Sequence, residues 1–409
     1  MTVSTVLEAG VLACAVYVCV VYGMYLTLVA VAFVENRRRR LETEAEDLVT
    51  IAHSRFLPPV SVIVPAYNEV GGLPDAVRSL QALDYPEFEV IVVSDGSTDG
   101  TVERLREEFE LVPVDLPSRA VVATEQVEAV FRSVAGPRLV VLDKRGGGKA
   151  DALNAGLNYC RHRFVCGVDA DMVFAHDALA RAMGAFLSNP AQMVGLTGFV
   201  EIAENPASAF GHGAEYRLPD SRPFLAFQTL EYLRAVFNNR IAWSRLGFML
   251  CVVGAFQLWR REILDELGGW SREFTCEDIE LTFRVHRVLQ ERGQEYRVLC
   301  LPDRIGVTEG PDTIGKLVAQ RERWQRVILE TWWANRHMCF NRRYGRVGLL
   351  GMPFYLASEI VAPAFELLAV ATLAVGAALG LVDWWVFAAV VLLISLVNSC
   401  LSAASLLMA

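Results

Sequence analysis

The sequence VIVVSDGSTDGT, residues 90–101, decides the predicted fold. It begins with a continuous apolar run, which is typical of a strand buried on both faces of a mostly parallel sheet. Asp95 ends that strand and begins a loop of small and polar residues. Three more runs of this kind occur in the chain: VSVIVP (Val60–Pro65), LVVLD (Leu139–Asp143) and FVCGVDAD (Phe164–Asp171).

Helical patterns alternate with these strands, for example at Gly72–Leu83 and Lys149–Cys160. Strands that alternate with helices predict an α/β domain with a Rossmann-like, mostly parallel sheet. In such sheets ligands bind beyond the carboxyl ends of the strands. We therefore expect the functional residues in the loops that follow the strands.

The composition indicates a membrane-attached enzyme rather than a nucleic-acid binder. Of the 409 residues, 53% are hydrophobic and 21% are charged, and the mean hydropathy is +0.33. The net charge of −9 argues against a general electrostatic attraction to nucleic acid. The nine cysteines form no CxxC pair, so we expect reduced thiols rather than disulfides or a zinc site.

The segment Val11–Val34 is apolar, carries no charge and is long enough to span a bilayer as a helix. The basic run Arg37–Arg40 follows it, whereas a signal peptide has its basic residues first. This order predicts a retained anchor whose end after Val34 lies in the cytoplasm. A buried core helix is the alternative interpretation.

Two later segments, Ile360–Val382 and Val386–Met408, are also predicted to span the membrane. Arginines within 342–346 place the near end of this pair in the cytoplasm. Gly351–Glu359 is too short to span and is expected to lie in the interface. Glu366 is costly in hydrocarbon, so we expect it to face a protein interior or a wet path.

These features divide the chain into five predicted parts. They are an N-terminal transmembrane anchor (1–36), a basic juxtamembrane linker (37–57), a cytosolic α/β domain (58–312), amphipathic and interfacial helices (313–359) and two transmembrane helices (360–409). We expect an integral protein of a bacterial-type inner or plasma membrane, with its large domain in the cytoplasm.

Two motifs follow the predicted strands that end at Asp95 and Asp143. Asp95 is suited to accept a hydrogen bond from the imide N–H of a uracil; capping of the next helix is the alternative. KRGGGK (Lys144–Lys149) is similar to a phosphate-binding loop, but Ala150 stands where a P-loop requires Ser or Thr. We interpret it as a flexible basic loop that leads into a helix.

Asp169 and Asp171 follow the strand that begins at Phe164. In an extended segment, residues two apart point the same way, so both carboxylates can reach one ion. Mg²⁺ or Mn²⁺ held by carboxylates and substrate phosphates is suited to cleaving a diphosphate bond. A solvated turn is the alternative interpretation of this short motif.

Glu277 and Asp278 begin a predicted helix. A carboxylate at this position is a candidate to accept a proton from an attacking hydroxyl group. The alternative is that both residues only stabilise the N-terminus of the helix.

The motif QRERW places Gln320, Arg323 and Trp324 on one face of a helix that precedes the membrane segment. Arg323 is suited to pair with a diphosphate, and Trp324 is suited to stack on a sugar ring. The alternative is a basic interfacial helix anchored by its tryptophan.

Together these motifs resemble those of membrane-embedded family-2 glycosyltransferases, which include the cellulose, chitin, hyaluronan and poly-N-acetylglucosamine synthases. The resemblance extends over about Pro58–Glu366 in the family's order. The motifs that carry it are PAYNE (65–69), SDGSTDGT (94–101), GGGKADALNAGL (146–157), DAD (169–171), GAFQLWRRE (254–262), CED (276–278) and QRERW (320–324). It implies a GT-A type fold and inverting transfer from a UDP-sugar.

The resemblance also implies a role for each matching residue. Asp278 is the expected general base, with Glu277 beside it as the second catalytic residue. The expected donor-binding residues are Asp95, Lys149, Asp169, Asp171, Gln320, Arg323 and Trp324, of which Asp169 and Asp171 also bind the metal ion. The expected acceptor-binding residues are Trp324, Phe256 and Gln257. Cys276 departs from the family's TED motif by replacing its Thr, which affects the acceptor end.

The predicted reaction is transfer of a glucose or N-acetylglucosamine type sugar to a growing polysaccharide at the cytoplasmic face, dependent on Mg²⁺ or Mn²⁺. Whether export is coupled to it stays open, and the alternative is a non-processive transferase that glycosylates a lipid or polyprenyl phosphate. Membrane lipids are expected partners. A second copy or an accessory membrane subunit is also expected, because three spans are too few to enclose a channel. Gly376 and Gly380 form a small-xxx-small pair suited to helix contact.

Overall fold

The computed structural model of the protein describes residues 3–45, 57–136, 138–203 and 223–409. Its strands are β1 (Val60–Ala66), β2 (Phe88–Asp95), β3 (Leu111–Pro113), β4 (Val127–Ser133), β5 (Leu139–Lys144), β6 (Phe164–Val168), β7 (Val173–Phe174), β8 (Met193–Ala203), β9 (Phe256–Arg260) and β10 (Arg297–Glu309). Within the described residues they form one sheet in the order β3-β4-β5-β2-β1-β6-β9-β8-β10-β7.

The helices cover both faces of the sheet, over two apolar core clusters, or form the candidate membrane spans. They are α1 (Val3–Ala45), α2 (Leu73–Gln81), α3 (Thr101–Glu108), α4 (Lys149–Tyr159), α5 (Ala178–Leu187), α6 (Pro223–Leu233), α7 (Ile241–Leu246), α8 (Arg261–Leu267), α9 (Glu277–Glu291), α10 (Ile314–Ala334), α11 (Met352–Tyr355), α12 (Ala362–Ala378) and α13 (Trp384–Met408). Three segments are π-helical: Arg234–Arg240, Val347–Gly351 and Leu356–Ile360.

The four predicted strands form the parallel centre of the sheet, in the order β5, β2, β1, β6. The outer part differs from the prediction because β4–β5, β6–β9 and β8–β9 are antiparallel pairs, so the sheet is mixed. For β4 and β5 the reason is local. The connection 134–138 is too short for the crossover that a parallel pair requires.

The parallel centre determines where the site lies. Strands β2, β5 and β6 end at the same edge, which places Asp95, Lys144 and Asp169 there. The glycine loop after β5 then turns the chain into α4, which begins at Lys149. Gly148 has a φ of +89°, a conformation that other residues rarely adopt.

Three described helical segments are long and apolar enough to cross a membrane: Thr5–Glu42, Val347–Ala378 and Trp384–Met408. The first and third contain the predicted spans. The basic run Arg37–Arg40 is part of α1, and residues 46–56 of the predicted linker lie outside the described residues.

The middle segment begins earlier than predicted. Gly351–Glu359 is part of a helical run that begins at Val347, and its place in the interface stays a prediction. This run contains Pro353, which has no N–H to donate and stands just after the π-helical turn Val347–Gly351. The π-helical turns on either side of α11 continue the helix past it.

One expectation about α12 is not met in the described chain. The helix ends at Ala378, and Gly380 has a φ of +67° beyond this end, so Gly376 and Gly380 do not share one helix face. The predicted small-xxx-small pair is therefore wrong. Glu366 is exposed on α12 near Tyr17 of α1, and what it faces stays a prediction.

Gly156 tests the packing of α4 on the sheet. A Cβ there would lie 2.4 Å from Cγ2 of Ile63 in β1. Ala normally stabilises a helix relative to Gly by up to about 1 kcal/mol, but we expect Gly156→Ala to destabilise the protein by about 1–3 kcal/mol through overpacking. Thermal unfolding in detergent measures the change.

The matched control is Gly184→Ala in α5, because a Cβ at Gly184 meets no atom within 4 Å. This variant should keep or raise the unfolding temperature. If both variants are equally stable, α4 does not pack this closely on β1.

Candidate active site

Asp95, at the end of β2, is buried and binds the glycine loop. Its Oδ1 accepts hydrogen bonds from Nζ of Lys144 at 2.5 Å and from the backbone N–H of Gly147 at 3.0 Å. Its Oδ2 accepts from the N–H of Gly148 at 2.6 Å. The carboxylate therefore fixes the loop from β5 to α4 and does not cap the helix that follows β2.

Lys144 is the last residue of β5 rather than part of the flexible basic loop that the sequence predicted. Its side chain is fully buried and forms ion pairs with Asp95 at 2.5 Å and with Asp151 at 2.7 Å. Asp151 is also fully buried and pairs with Arg272 at 2.7 Å. The result is a buried network of alternating charge beneath the glycine loop.

Lys149, the first residue of α4, joins two motifs that are far apart in the sequence. Its Nζ lies 2.7 Å from Oδ1 of Asp169 and 3.0 Å from Oε1 of Glu277. Burial lowers the pKa of Lys149, but the neighbouring carboxylates, Asp169 first, raise it further, so the net shift is well upward. The side chain is positively charged and about 39% exposed, so it remains accessible to a ligand.

Asp278, in the first turn of α9, receives two backbone hydrogen bonds. Oδ2 accepts from the N–H of Gly254 at 2.8 Å, and Oδ1 accepts from the N–H of Ile279 at 2.8 Å. Burial and the charge of Glu277 raise the pKa of Asp278 to about 6, although Lys149 and these two N–H groups oppose the shift. The side chain is therefore ionised at neutral pH and has a pKa suited to accepting a proton.

Gly254 is the backbone point on which three polar groups converge. A Cβ at residue 254 would lie 3.0 Å from Nζ of Lys149, 3.2 Å from Oδ2 of Asp278 and 3.4 Å from Oε1 of Glu277. The absence of a side chain there allows the groups to approach each other. Sequence reasoning did not single out this glycine, because a lone Gly before a strand usually marks only a turn.

Asp169 and Asp171 are close together, but not for the reason predicted. Strand β6 ends at Val168, and residues 169–172 form a turn, so the two side chains do not alternate along a strand. Oδ2 of Asp171 accepts a hydrogen bond from Oγ1 of Thr308 in β10 at 3.1 Å. Burial and, after it, the negative charge of Asp169 raise the pKa of Asp171 to about 6.

Gln320, Arg323 and Trp324 lie on α10, as predicted. The Arg321 guanidinium group stacks 4.1 Å over the ring of Trp324, and the same arginine donates to Oε1 of Gln320 at 3.0 Å. The Trp324 ring also lies 6.2 Å from that of Tyr232 in α6.

Helix α10 runs alongside the loop that carries Cys276. The hydroxyl of Thr275 donates to Glu330 of α10 at 2.9 Å, and the charge of Arg323 acts on Cys276. Burial, followed by the charges of Asp278 and Glu277, raises the pKa of the Cys276 thiol to about 12, so it is neutral.

Phe256 and Gln257 are not part of this cluster. Their side chains are 1% and 0% exposed within β9. Oε1 of Gln257 accepts hydrogen bonds from the indole N–H groups of Trp270 at 2.9 Å and Trp259 at 3.2 Å. The two residues support the sheet behind Gly254 and do not form an exposed wall.

Two family models match the chain. The model "Glycosyl transferase family 2" matches residues 61–268, and "Glycosyl transferase family group 2" matches residues 165–401. The first match contains Lys149, Asp169 and Gly254, and the second contains Asp278 and the motif QRERW.

The chain is also similar to individual proteins. A poly-beta-1,6-N-acetyl-D-glucosamine synthase of Staphylococcus epidermidis is 28% identical over 279 residues, 67% of this chain and 57% of that protein. A synthase of the same name from Staphylococcus aureus is 25% identical over 271 residues, 66% of this chain and 54% of that protein. The chain thus spans little more than half the length of these curated relatives.

A solved structure shares the fold. A mannosyltransferase from Pyrobaculum calidifontis, in complex with GDP-Man and Mn²⁺, superimposes with a TM-score of 0.59. The match covers 95% of this chain and 97% of that chain, at 20% sequence identity.

Lys144 tests the buried charge network. In Lys144→Met the carboxylates of Asp95 and Asp151 lose their shared buried cation. Breaking a buried pair typically costs about 3–5 kcal/mol, so we expect a large fall in the unfolding temperature, measured in detergent.

Arg145→Met is the neighbouring control, because the ion pair of Arg145 with Glu128 is mostly exposed. It should leave the unfolding temperature unchanged. Equal stability of the two variants would mean that Lys144 does not hold the network together.

Proposed function

The chain belongs to glycosyl transferase family 2 and is a glycosyltransferase with the GT-A fold; on that premise, we propose that it transfers a sugar from a UDP-sugar to a growing polysaccharide. The sugar is of the glucose or N-acetylglucosamine type, and transfer inverts the anomeric carbon. The observation that carries the proposal is the meeting of Lys149 with Asp169 and Glu277 beside Asp278. One cation thus joins a candidate donor site to a candidate base.

Asp95 is assigned to the uracil ring. A carboxylate offers about four acceptor positions, and Lys144, Gly147 and Gly148 occupy three of those of Asp95. One position on Oδ2 is left for the imide N–H of the base. The internal bonds hold the carboxylate in place, so binding requires little reorganisation.

The diphosphate is assigned to the exposed side of Lys149, with Gln320, Arg323 and Trp324 of α10 contributing to the donor site. Lys149 lies at the N-terminus of α4, where the helix dipole also favours negative charge. Arg323 is exposed on α10, the helix that packs beside Cys276. Positive charge on two sides suits a diphosphate leaving group.

The residues present fit a divalent ion, Mg²⁺ or Mn²⁺. Within the described residues no group of three or more His, Cys, Asp or Glu side chains is arranged to hold a metal. Asp169 and Asp171 supply two carboxylates with mutual repulsion that a cation relieves. Such a set suits an ion that takes its remaining ligands from substrate phosphates and water. When bound, the ion would neutralise charge on the departing diphosphate.

Asp278 is assigned as the general base, and Glu277 helps to set its pKa. Its carboxylate takes the proton of an acceptor hydroxyl while that oxygen attacks the anomeric carbon. The bond from that carbon to the UDP oxygen breaks on the opposite face, which gives inversion. Lys149 pairs with Asp169 of the candidate donor site and with Glu277 beside the candidate base, and so fixes the position of one relative to the other.

Trp324 is assigned to both the donor and the acceptor sugar, because it is half-buried on the face of α10 beside α6. The resemblance also placed Phe256 and Gln257 at the acceptor. Since their side chains are buried, any contribution would come through the backbone of the preceding segment, which includes Gly254.

The membrane segments support a catalytic domain at the cytoplasmic face. Arg37–Arg40 follow the uncharged stretch Val11–Val34 of the first span, and Arg342, Arg343 and Arg346 precede the second. By the positive-inside rule both ends lie in the cytoplasm, next to the α/β domain. The five-part division of the chain is proposed on this basis, and the apolar helical run that contains the second span begins at Val347, within the predicted part 313–359.

A non-processive transferase acting on a lipid or polyprenyl phosphate is the second candidate. It is favoured because the three candidate spans pack little against the rest of the described chain. Only 11%, 6% and 6% of their most apolar stretches is buried. Processive transfer is favoured by QRERW, a motif that the resemblance associates with polymer synthesis.

Product length distinguishes the two functions. Purified protein in lipid nanodiscs is incubated with UDP-[¹⁴C]N-acetylglucosamine or UDP-[¹⁴C]glucose, and products are separated by size. A polymer supports the proposal, and a single sugar on a lipid supports the second candidate. Absence of transfer with every donor in a panel of UDP-sugars would contradict both.

Asp278→Asn removes the base but preserves the shape of the side chain. We expect it to retain UDP binding and to lose at least about 10²-fold in turnover, the lower end for general-base catalysis. In the native enzyme the rate should fall as the pH drops below about 6, because protonation of Asp278 removes the base. The rate of UDP release, measured against pH for the native enzyme and the variant, gives the loss of turnover and the pH dependence.

Asp177→Asn, at the surface start of α5, is the control and should retain the native rate. Near-native turnover of Asp278→Asn would show that Asp278 only stabilises the N-terminus of its helix.

The metal assignment predicts that EDTA abolishes transfer and that Mg²⁺ or Mn²⁺ restores it. Asp171→Asn should weaken binding of the ion itself, measured as Mn²⁺ binding by electron paramagnetic resonance. Full activity in EDTA, together with unchanged Mn²⁺ binding, would remove both carboxylates from this role.

A further inference from the structure

The segment Phe248–Ala255 is irregular and largely buried, and its second-to-last residue, Gly254, donates a hydrogen bond to Asp278. Buried backbone groups outside regular structure need hydrogen-bond partners. In this segment, three of those partners come from the side chains of one helix, α9.

The three side chains are Asp278, Thr282 and His286, spaced four residues apart on one face of α9. Asp278 accepts from the N–H of Gly254 at 2.8 Å. Thr282 accepts from the N–H of Val252 at 3.1 Å. Nε2 of His286 donates to the carbonyl of Met249 at 2.5 Å. The helix therefore binds the segment at Met249, Val252 and Gly254. The partner of Gly254 is Asp278, the candidate base.

We propose that Thr282 and His286 are positioning residues for the transfer reaction: they fix Phe248–Ala255 against α9 so that the N–H of Gly254 points at Asp278. The inference rests on the proposed role of Asp278 as the base. Neither residue touches substrate in this account. Both act through the backbone of the segment.

The hydrogen-bonding state of each side chain is determined by its neighbours. The Thr282 hydroxyl donates to the carbonyl of Asp278 at 2.8 Å, so its oxygen is free to accept from Val252. Because Nε2 of His286 donates to Met249, its Nδ1 accepts from the hydroxyl of Tyr296 at 2.6 Å. Burial lowers the pKa of His286 to about 4, so it stays neutral across the range in which Asp278 titrates.

The N–H of Gly254 stabilises the ionised form of Asp278, so its loss raises the pKa of that carboxyl group. Several other groups also face Asp278 and remain in place in the test variants. They are Glu277 and Cys276 beside it, Lys149 from α4, Cys251 from the segment and Tyr355 from α11.

The test compares Thr282→Val with Thr282→Ser. Valine preserves the shape but cannot accept from Val252, whereas serine retains the hydroxyl. We expect Thr282→Val to lose about tenfold in kcat at pH 7, the effect of roughly one hydrogen bond. We expect the acid limb of its pH profile to move upward by on the order of half a pH unit, a fraction of the full effect of such a bond. Thr282→Ser should retain the native midpoint of the acid limb of the pH profile.

His286→Gln and His286→Leu extend the test to the other end of the segment. The glutamine amide can donate to the carbonyl of Met249 and should preserve the midpoint, whereas leucine should raise it. Tyr344→Phe is the control, because it removes one hydrogen bond to α9 at Glu291, far from Asp278. It should not move the midpoint even if it lowers stability.

A loss of kcat in Thr282→Val and His286→Leu without a shift in the acid limb would overturn the inference, since a purely structural role has that effect. If a variant fails to fold, amide hydrogen exchange at Gly254 in Thr282→Ser and His286→Gln supplies the second measurement. Protection equal to that of the native protein supports the inference, and rapid exchange contradicts it. Failure of the base assignment is seen separately, as near-native turnover in Asp278→Asn.

Discussion

The buried ammonium group of Lys144 is the interaction on which the geometry of the site depends. It lies between the carboxylates of Asp95 and Asp151, and a charge removed from water is stable only with such close partners. Because Asp95 also binds the N–H groups of Gly147 and Gly148, the same contact fixes the glycine loop. Helix α4 then begins at Lys149, whose position thus follows from an ion pair formed beneath the loop.

Lys149 connects the glycine loop to the residues that are proposed to carry out the reaction. One side of its amine meets Asp169 after β6, and the other meets Glu277 at the start of α9. Gly254 admits these groups because it has no side chain, and its N–H binds Asp278. Carboxylates thus predominate around a single cation. Burial and neighbouring negative charge raise the pKa of Asp278 in this group and that of Asp171 beside Asp169, an arrangement typical of functional sites.

The sequence was informative where the signal is local. Continuous apolar runs predicted β1, β2, β5 and β6, and their shared carboxyl edge predicted where Asp95 and Asp169 would lie. Long-range partners left no such signal. A lysine at the end of an apolar strand does not reveal that it pairs with Asp151, and the motif GAFQLWRRE does not reveal that Gln257 is buried against Trp270. The outer antiparallel strands likewise depend on pairing between distant segments.

The central claim is that a UDP-sugar binds at the strand ends between Asp95 and Lys149. The most direct measurement is a cryo-electron microscopy structure of the protein in nanodiscs with UDP and Mn²⁺. The account predicts the uracil imide on Oδ2 of Asp95 and the diphosphate at Lys149, with the ion on Asp169 and Asp171. A cavity of about 650 Å³ lies elsewhere on the domain and is lined in part by Arg272 and by Arg287 of α9. Nucleotide density there, with the strand ends empty, would contradict the account.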